Sequence, residues 1–363
     1  MAGRFNRRAF VKGPALGTAG WWILGEARSV WSSQANEKLN LAVIGVGRRG
    51  SYHAKTGLRL GQNLVALCDV DRRRAEPWQK QGPGAVWYED FRRMLDEQDG
   101  RLDGVISGAT PHNHTAIAVA AMRRGKHVYI EKPAARTVAE GRALRQVAAE
   151  QSVVTQMGNQ GMATDLFRRT LELVHDGAVG EIREAHVWFV AGGPGPRDLP
   201  SGEKPVPDYL NWDLWLGPLP FRPYHPAWMS GAWREVGVGL PGGSHVIHII
   251  FTGLRLGALW GADGEAPGTI RIQAKPSELS RNTFPRWQTI HYDVPARGSL
   301  PPARIHWYNA PEKVLEEKGI LKKLERIVGR SLVWKGSWKP RSGSILVGSK
   351  GVVHTNTHNS VCA

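Results

Sequence analysis

Short apolar runs alternate with stretches of helical periodicity through residues 38–157. Helical patterns at residues 115–124 and 138–150 each separate two apolar runs. This alternation is typical of a parallel, doubly wound α/β sheet. The apolar runs that we predict to be strands are residues 40–44, 64–68, 86–88, 104–107, 127–130 and 152–157.

The pattern changes after residue 157. A helix with one apolar side is predicted at residues 163–176, and polar and apolar residues then alternate at 184–189, as in a half-buried strand. The later strands follow one another without crossover helices, which favours a largely antiparallel open sheet. The other predicted elements are extended loops at 191–241, strands at 269–274, 289–294 and 303–308, a hairpin around 348–351 and an amphipathic helix at 312–328. We therefore predict a second α/β domain over residues 158–363, closing against the first.

A glycine-rich turn of the pattern GxGxxG follows the first predicted strand and precedes a predicted helix at residues 51–60. Glycines in this pattern permit a tight turn and a close approach of the backbone to a pyrophosphate, which the helix N-terminus stabilises. The turn therefore predicts a dinucleotide site. Its residues assigned to the cofactor are Gly45, Gly47, Arg48, Arg49 and Gly50.

An aspartate ends the second predicted strand. Asp69 lies 19 residues past Gly50, at the offset of a carboxylate that binds the adenosine ribose hydroxyls. A carboxylate there repels a 2′-phosphate, so we expect NAD rather than NADP. The basic residues 72–74 could weaken this preference.

A lysine follows the apolar run at residues 127–130, in the motif Glu131-Lys132-Pro133. Lys132 is therefore expected at the carboxyl end of a strand, where open α/β sheets bind ligands. Oxidation of an alcohol removes a hydride and a proton, and the proton needs an acceptor beside the nicotinamide. The motif predicts Lys132 as an acid/base in nicotinamide redox chemistry. The alternative is a surface lysine in a turn before proline.

Several motifs, in a single order along the chain, resemble the Gfo/Idh/MocA oxidoreductases and their secreted bacterial branch. They are GVGRRG at 45–50, LCDVD at 67–71, TPHNH at 110–114, EKP at 131–133, GNQG at 158–161, NWDLWLGP at 211–218 and YHP at 224–226. The resemblance implies an N-terminal Rossmann dinucleotide-binding domain, a C-terminal α/β domain and a site at their junction. It also implies a sugar, a cyclitol or a derivative as substrate.

The resemblance assigns roles to individual residues. Lys132 and His245 match catalytic positions, whereas the family aspartate four residues before that histidine is replaced by Pro241. Further cofactor positions are Thr110, Pro111, His114, Glu131 and Lys132; a polar residue at a helix start is an equal alternative for His114. The residues assigned to the substrate are Asn159, Gln160, Trp212, Tyr224, His225 and His248. Because no carboxylate or thiolate lies near His245 and His248 in sequence, we expect no metal site.

The first 35 residues resemble a twin-arginine export signal rather than part of the fold. Arg7 and Arg8 precede a mildly apolar stretch at residues 13–25, which is shorter than the roughly 20 residues of a membrane span. We therefore expect export to the periplasm. The chain also ends soon after the predicted strand at 351–355, earlier than in the related branch, so we expect a second domain truncated at its C-terminus.

Composition sets loose bounds. The net charge is +16, and the five basic residues and one glutamate of the first 35 leave +12 for the rest. The basic residues are scattered and accompany no nucleic-acid motif, so we expect a small-molecule partner and no nucleic acid. Cys68 and Cys362 imply no disulfide framework. We also expect no membrane span, and a homo-oligomer formed through the C-terminal sheet.

Three functions remain open at this point. The first is an NAD(P)-dependent oxidoreductase acting on a CH–OH group of a sugar-like alcohol. The second is a redox-neutral NAD-dependent glycosidase or lyase, which suits a periplasm without an obvious pool of free NAD. The third is a non-catalytic sugar-binding relative, suggested by the proline at the aspartate position.

Overall fold

The computed structural model of the protein describes residues 38–82, 84–196, 198–232, 243–259, 268–280 and 283–363. The predicted export signal and Pro241 lie outside these ranges. Within them, the helices lack the combination of length and apolar character needed to cross a membrane.

The first half of the chain forms a six-stranded sheet in which all neighbours are parallel. Its strands are β1 (Asn40–Ile44), β2 (Asn63–Cys68), β3 (Val86–Tyr88), β4 (Gly104–Ser107), β5 (His127–Glu131) and β6 (Thr155–Gly158). Their spatial order is β3-β2-β1-β4-β5-β6, so the order reverses between β1 and β4. This confirms the predicted parallel sheet, and open α/β sheets bind ligands where the strand order reverses.

Five helices accompany this sheet: α1 (Arg48–Arg59), α2 (Glu76–Gln81), α3 (Phe91–Gln98), α4 (Pro111–Met122) and α5 (Val138–Glu150). Side chains fix two of the helix starts. The Asp90 carboxylate accepts a hydrogen bond from the Arg92 amide ahead of α3, and Thr137 and Glu140 form a capping box at the start of α5. Ala42 and Val43, neighbours on β1, lie in separate apolar clusters, so both faces of the sheet are buried.

The second half of the chain forms another six-stranded sheet. Its strands are β7 (Ile182–Val190), β8 (Arg271–Pro276), β9 (Gln288–Val294), β10 (Ala303–Ala310), β11 (Gly343–Gly348) and β12 (Val352–Asn356). The order is β12-β11-β7-β10-β9-β8. The β7–β10 pair is parallel and the other pairs are antiparallel, as the succession of strands without crossover helices predicts.

Helices cover parts of both faces of this second sheet. They are α6 (Asp165–His175), α8 (Gly243–Gly253), α9 (Glu312–Glu317) and α10 (Ile320–Val328), whereas the short helix α7 (Trp212–Leu216) packs in a separate apolar cluster. Ile249 of α8 shares one apolar cluster with Val187 of β7. Leu321 and Leu324 of α10 share another with Trp188 of β7. Since Val187 and Trp188 are adjacent on a strand, α8 and α10 lie on opposite faces.

Two sequence predictions are wrong in detail. The helix predicted at residues 312–328 is two helices, because Gly319 adopts φ +68°, which breaks the helix between α9 and α10. The extended loops predicted at 191–241 contain α7, whose start is capped by the Asn211 side chain accepting from the Leu214 amide.

The glycine turn packs against the first sheet so closely that side chains cannot fit. Gly45 has φ +79°, and a Cβ there would overlap the backbone of Ala109 after β4. A Cβ at Gly50 would overlap the carbonyl group of Gly45. The turn therefore requires glycine at both positions to bring α1 against the end of β1.

The substitution Gly50→Ala tests this packing. We expect it to lower the free energy of unfolding by at least about 2 kcal/mol, because rigid backbone must move away from the new methyl group. The matched control is Gly57→Ala in the same helix, where the added Cβ would meet Leu41 Cδ1 at an ordinary 3.6 Å. There the better helix propensity of alanine should stabilise by about 0.5–1 kcal/mol. Equal denaturation midpoints for the two variants would contradict the packing argument.

Candidate functional site

A cavity of about 1100 Å³ lies at the carboxyl ends of the strands of the first sheet, and residues of the second domain line part of it. It brings together most of the residues that the sequence assigned to the cofactor. Those lining it are Gly45, Gly47, Arg48, Arg49, Asp69, Thr110, Pro111, His114, Glu131 and Lys132. The second domain contributes residues that include Gln160, Trp215, Met229, His245, Trp338 and His358.

The glycine turn presents backbone and positive charge to this cavity. The Gly45 amide donates a 2.7 Å hydrogen bond to the Cys68 carbonyl, which holds the turn between β1 and β2. Gly47 precedes the first residue of α1, so unpaired amides of the helix N-terminus lie at the turn. A Cβ at Gly47 would lie 3.3 Å from Nη1 of Arg74. Helix N-terminus and guanidinium together favour an anion at this position.

Asp69 lies at the end of β2, at the cavity wall, with its carboxylate oriented by two neighbours. Its Oδ1 accepts a 3.0 Å hydrogen bond from the Asp71 amide, and its Oδ2 lies 3.6 Å from Nε of Arg74. Burial raises the pKa of Asp69 to about 6, against the opposing effects of the Asp71 amide and the Arg74 charge. At neutral pH the carboxylate is thus mostly ionised and able to accept hydroxyl hydrogen bonds.

The basic residues after Asp69 are engaged with acidic and carbonyl groups. Arg73 donates from Nε and Nη2 to the two carboxylate oxygens of Asp71, at 2.9 and 2.8 Å. Arg72 donates to the carbonyl of Asp208. Their positive charges are therefore partly compensated within the chain, which reduces the expected weakening of the preference for NAD.

Glu131 joins the lysine motif to the glycine turn. Its Oε1 accepts hydrogen bonds from Arg49 Nη2 at 2.6 Å and Arg49 Nε at 3.1 Å, and lies 2.7 Å from His53 Nε2. Burial opposes ionisation of this carboxyl. The hydrogen bonds from His53 and Arg49 outweigh burial and lower the pKa of Glu131 to about 2. Glu131 is therefore an ionised group that holds α1 against β5. No sequence motif pointed to His53.

His112 and His114 at the start of α4 hold the surrounding loops. Nδ1 of His114 lies 2.8 Å from the Pro133 carbonyl and Nε2 lies 3.0 Å from the Ala109 carbonyl. His112 Nε2 lies 2.8 Å from the carbonyl of Trp215 in α7. The His114 ring thus lies between the carbonyls of Pro133 and Ala109, which favours its interpretation as a positioning residue.

His245 at the start of α8 reaches the cavity and has a defined tautomer. Its Nδ1 lies 2.5 Å from Oδ1 of Asn159, while Nδ2 of Asn159 donates to the Ser244 carbonyl at 2.9 Å. Since the amide oxygen can only accept, Nδ1 carries the proton and Nε2 carries the lone pair. Burial, with the charge of Lys132, lowers the pKa of His245 to about 3, so the ring is neutral.

His358 and Trp338 complete this corner and were missed by the sequence analysis. The ring centroids of His358 and His245 are 4.8 Å apart, and those of His358 and Trp338 are 5.5 Å apart. Burial and then the charge of Lys132 lower the pKa of His358. Asn359, the next residue, donates its amide to the His245 carbonyl. A histidine near the chain end carries no motif, and only the packing of β12 brings it here.

Several residues assigned to the substrate do not line the cavity. Trp212 and Tyr224 are buried in one apolar cluster, where Trp212 stacks on Trp215 at 4.7 Å. His225 Nδ1 accepts from the Ala227 amide, and His248 packs on Phe167 at 5.5 Å. These four residues therefore lie outside the cavity, and Trp215, not Trp212, lines it. Asn159 is hydrogen-bonded to His245 and does not itself line the cavity. Gly50 packs against the Gly45 carbonyl, also outside the cavity lining.

The substitution Glu131→Gln tests the ionic centre of the site. The pKa of this carboxyl is lower in the folded protein than its ordinary 4.5. The stability that the ionised carboxylate contributes to the fold is therefore complete above about pH 4.5 and is lost as the pH falls towards about 2. At neutral pH the variant should therefore have a free energy of unfolding lower than that of the wild type by on the order of 3 kcal/mol. Urea denaturation at a series of pH values should also show a smaller loss of stability for the variant over this interval.

The control for this experiment is Glu172→Gln. Glu172 pairs with Arg169 on the exposed side of α6, and exposed pairs contribute less than about 1 kcal/mol. If the Glu131 and Glu172 variants had the same stability at pH 7, Glu131 would not hold the two elements together.

Residues 39–159 match the family described as "Oxidoreductase family, NAD-binding Rossmann fold", the Gfo/Idh/MocA family. The chain is 31% identical over 123 residues to a scyllo-inositol 2-dehydrogenase (NAD(+)) of Bacillus subtilis, covering 33% of this chain and 35% of that protein. It is 30% identical over 206 residues to a glycosyl hydrolase family 109 protein of Saccharopolyspora erythraea, covering 49% of this chain and 44% of that protein. The aligned part thus spans less than half the length of these two curated relatives.

Solved structures resemble the whole described fold. An inositol dehydrogenase homolog of Azotobacter vinelandii, crystallised with NADH and myo-inositol, superposes with a TM-score of 0.56 at 21% identity. The superposition covers 88% of this chain and 70% of that chain. At this identity the likeness concerns the fold, including the second, mostly antiparallel sheet. Residues 39–159 of this chain are therefore similar to the NAD-binding Rossmann domain of the Gfo/Idh/MocA family of oxidoreductases.

Proposed function

We propose that this chain is an NAD-dependent oxidoreductase that transfers a hydride between nicotinamide and a CH–OH group of a cyclitol, sugar or derivative. The observation that carries the proposal is the shared cavity. The glycine turn, Asp69, Lys132, the buried His245 and the half-buried His358 all lie around this single space. A dinucleotide and a small polyol would both have binding groups there.

The residues present fit an NAD molecule. The turn at Gly45 and Gly47 lacks side chains where backbone must approach a pyrophosphate, and the α1 N-terminus and Arg74 supply positive charge. Asp69, oriented by the Asp71 amide, would accept hydrogen bonds from the adenosine ribose. When bound, NAD supplies the hydride acceptor or donor. The compensated charge of Arg73 supports NAD over NADP.

Lys132 is the proposed acid/base. Its positive charge lowers the pKa of both His245 and His358, so the three groups are close enough to interact. The neutral His245 ring presents the Nε2 lone pair, which can accept a hydrogen bond from a substrate hydroxyl. In oxidation, a neutral Lys132 would take the proton of the reacting hydroxyl while His245 accepts a hydrogen bond from a neighbouring hydroxyl, and in reduction the ammonium form of Lys132 would return that proton. His358 is a second titratable group in this corner of the cavity. Its presence there does not depend on the residue at position 241.

The substrate class follows from the relatives and the cavity walls. The Bacillus subtilis relative acts on scyllo-inositol, and Trp215 and Trp338 give this cavity aromatic surface of the kind that packs against sugar C–H groups. Gln160 supplies an amide for hydroxyl hydrogen bonds. A ring polyol suits this combination.

A second candidate is a redox-neutral NAD-dependent glycosidase or lyase. It is favoured by the glycosyl hydrolase family 109 relative, whose alignment of 206 residues extends beyond the Rossmann domain. In that chemistry, transient oxidation at one carbon acidifies the neighbouring proton, a leaving group departs and the hydride returns. A third, weaker candidate is non-catalytic sugar binding.

We also propose that the chain is exported. Arg7 and Arg8 ahead of a short apolar stretch support a twin-arginine signal, a route that carries folded proteins with their cofactor. A homo-oligomer through the second sheet is supported by β8 at its edge, where Ile272 is exposed.

The substitution Lys132→Ala tests the catalytic assignment. Turnover of inositols, followed by nicotinamide absorbance, should fall about 10²–10⁴-fold, because a positioned proton acceptor is lost. NADH affinity, followed by fluorescence, should change no more than a few-fold. Lys55→Ala, on the exposed side of α1, is the control and should leave both quantities unchanged. Turnover of the Lys132 variant within a few-fold of the wild type would disprove the role of Lys132.

The two catalytic candidates separate in one further assay. The purified protein is incubated with nitrophenyl glycosides and with free inositols, and nitrophenol release and net NADH formation are both recorded. The oxidoreductase proposal expects NADH from an inositol without nitrophenol. Nitrophenol without net NADH would instead establish the glycosidase, and polyol binding with neither signal would establish the binding protein.

A further inference from the structure

Three side chains of the types that commonly bind metals converge on the second sheet, outside the cavity. Glu184 and His186 lie two residues apart on β7 and so point to the same face. His306 on the neighbouring parallel strand β10 is directly opposite His186 in the register. Glu184 Oε1 lies 3.0 Å from His186 Nε2 and 3.3 Å from His306 Nε2. The ligand atoms of all three lie within 4.8 Å of one another.

His186 is fully buried at this place, and its ring nitrogens lack hydrogen-bond partners among the described residues. Buried polar atoms without partners are costly and call for an explanation. Glu184 Oε1 lies 3.0 Å from His186 Nε2 without forming a hydrogen bond with it. Two atoms that bind the same ion, each at about 2.1 Å, also lie about 3 Å apart, because their lone pairs point at the ion and not at each other. The pair therefore has the spacing of two ligands of one ion.

The second ring is oriented by a further histidine. His306 Nδ1 lies 2.8 Å from Nδ1 of His291 on β9. If His306 donates its Nδ1 proton to His291, its Nε2 lone pair points towards Glu184. A ligand histidine whose other nitrogen donates to a neighbour is the usual arrangement in metal sites. The nearest cation, Lys323 Nζ of α10, is 3.7 Å from Glu184, and its side chain is 45% exposed and so free to turn away.

We propose that Glu184, His186 and His306 bind a divalent transition-metal ion, with zinc as the best match. Two imidazole nitrogens and one carboxylate oxygen suit Zn²⁺ and its first-row neighbours, whereas Ca²⁺ and Mg²⁺ prefer oxygen ligands. Water would take the fourth position. No sequence motif indicates this site, because its ligands lie on two strands far apart in the chain.

The site has a structural role. It lies on the face of β7 that α10 covers, whereas α8, with His245, packs on the opposite face. The ion would join β7 to β10 and compensate the buried imidazoles. Since it lies outside the cavity, metal binding and nicotinamide chemistry are separate properties, and failure of one leaves the other standing.

The test is titration of the full chain with Zn²⁺ alone and with Co²⁺ alone, the latter followed by visible absorption. The wild type should bind one equivalent at this site and show a raised denaturation midpoint. Glu184→Gln and His306→Gln should each weaken binding by more than about 100-fold, and His291→Gln, beside the ligands, by about 10–100-fold. His175→Gln, at an exposed helix end, is the matched control and should bind as the wild type does.

Two results would overturn the site. One is that the wild-type protein binds neither Zn²⁺ nor Co²⁺ at metal concentrations of about 100 μM. This result would disprove the site whether or not the variants fold. The other is unchanged affinity in both the Glu184 and the His306 variants, which would place the ion elsewhere, for example at His245 and His358. Circular dichroism without metal checks that the variants are folded.

Discussion

The ionised carboxylate of Glu131 is the interaction on which the site depends. It is buried beside Lys132 and accepts hydrogen bonds from Arg49 and His53 of α1. Through it, the helix that follows the glycine turn is attached to the strand that carries the lysine. Because these contacts outweigh the cost of burial, the pKa of Glu131 falls to about 2 and the charge persists under ordinary conditions. The nucleotide turn and the lysine therefore keep a fixed relation.

The second domain completes the site through amides rather than charges. Asn159, just past β6, accepts a hydrogen bond from His245 Nδ1 and donates one to the Ser244 carbonyl. Asn359 does the same for the His245 carbonyl from the other side. Each amide both accepts and donates, so a neutral histidine is held in one tautomer without a carboxylate. This arrangement leaves Lys132 as the positive charge felt by both His245 and His358.

Sequence reasoning succeeded where local chemistry and sheet geometry coincide. Gly45, Asp69 and Lys132 each follow a strand, and parallel strands bring their carboxyl ends to one edge, so their meeting was predictable. It failed for Trp212, because Trp212 stacks on Trp215 inside a buried apolar cluster and only Trp215 of the pair lines the cavity. It also missed the break at Gly319, since the apolar spacing on either side continues through it.

By itself, the sequence determined the two α/β folds, the glycine turn and the position of the lysine motif at a strand end, because these depend on contacts between residues close along the chain or on strand ends. Only the tertiary structure decided which residues of the second domain meet them. His358 and Trp338 line the same cavity as Lys132, and strand pairing over a long sequence separation brings Glu184 to His306. The register of such pairs is set by the packing of whole faces, which no short motif encodes.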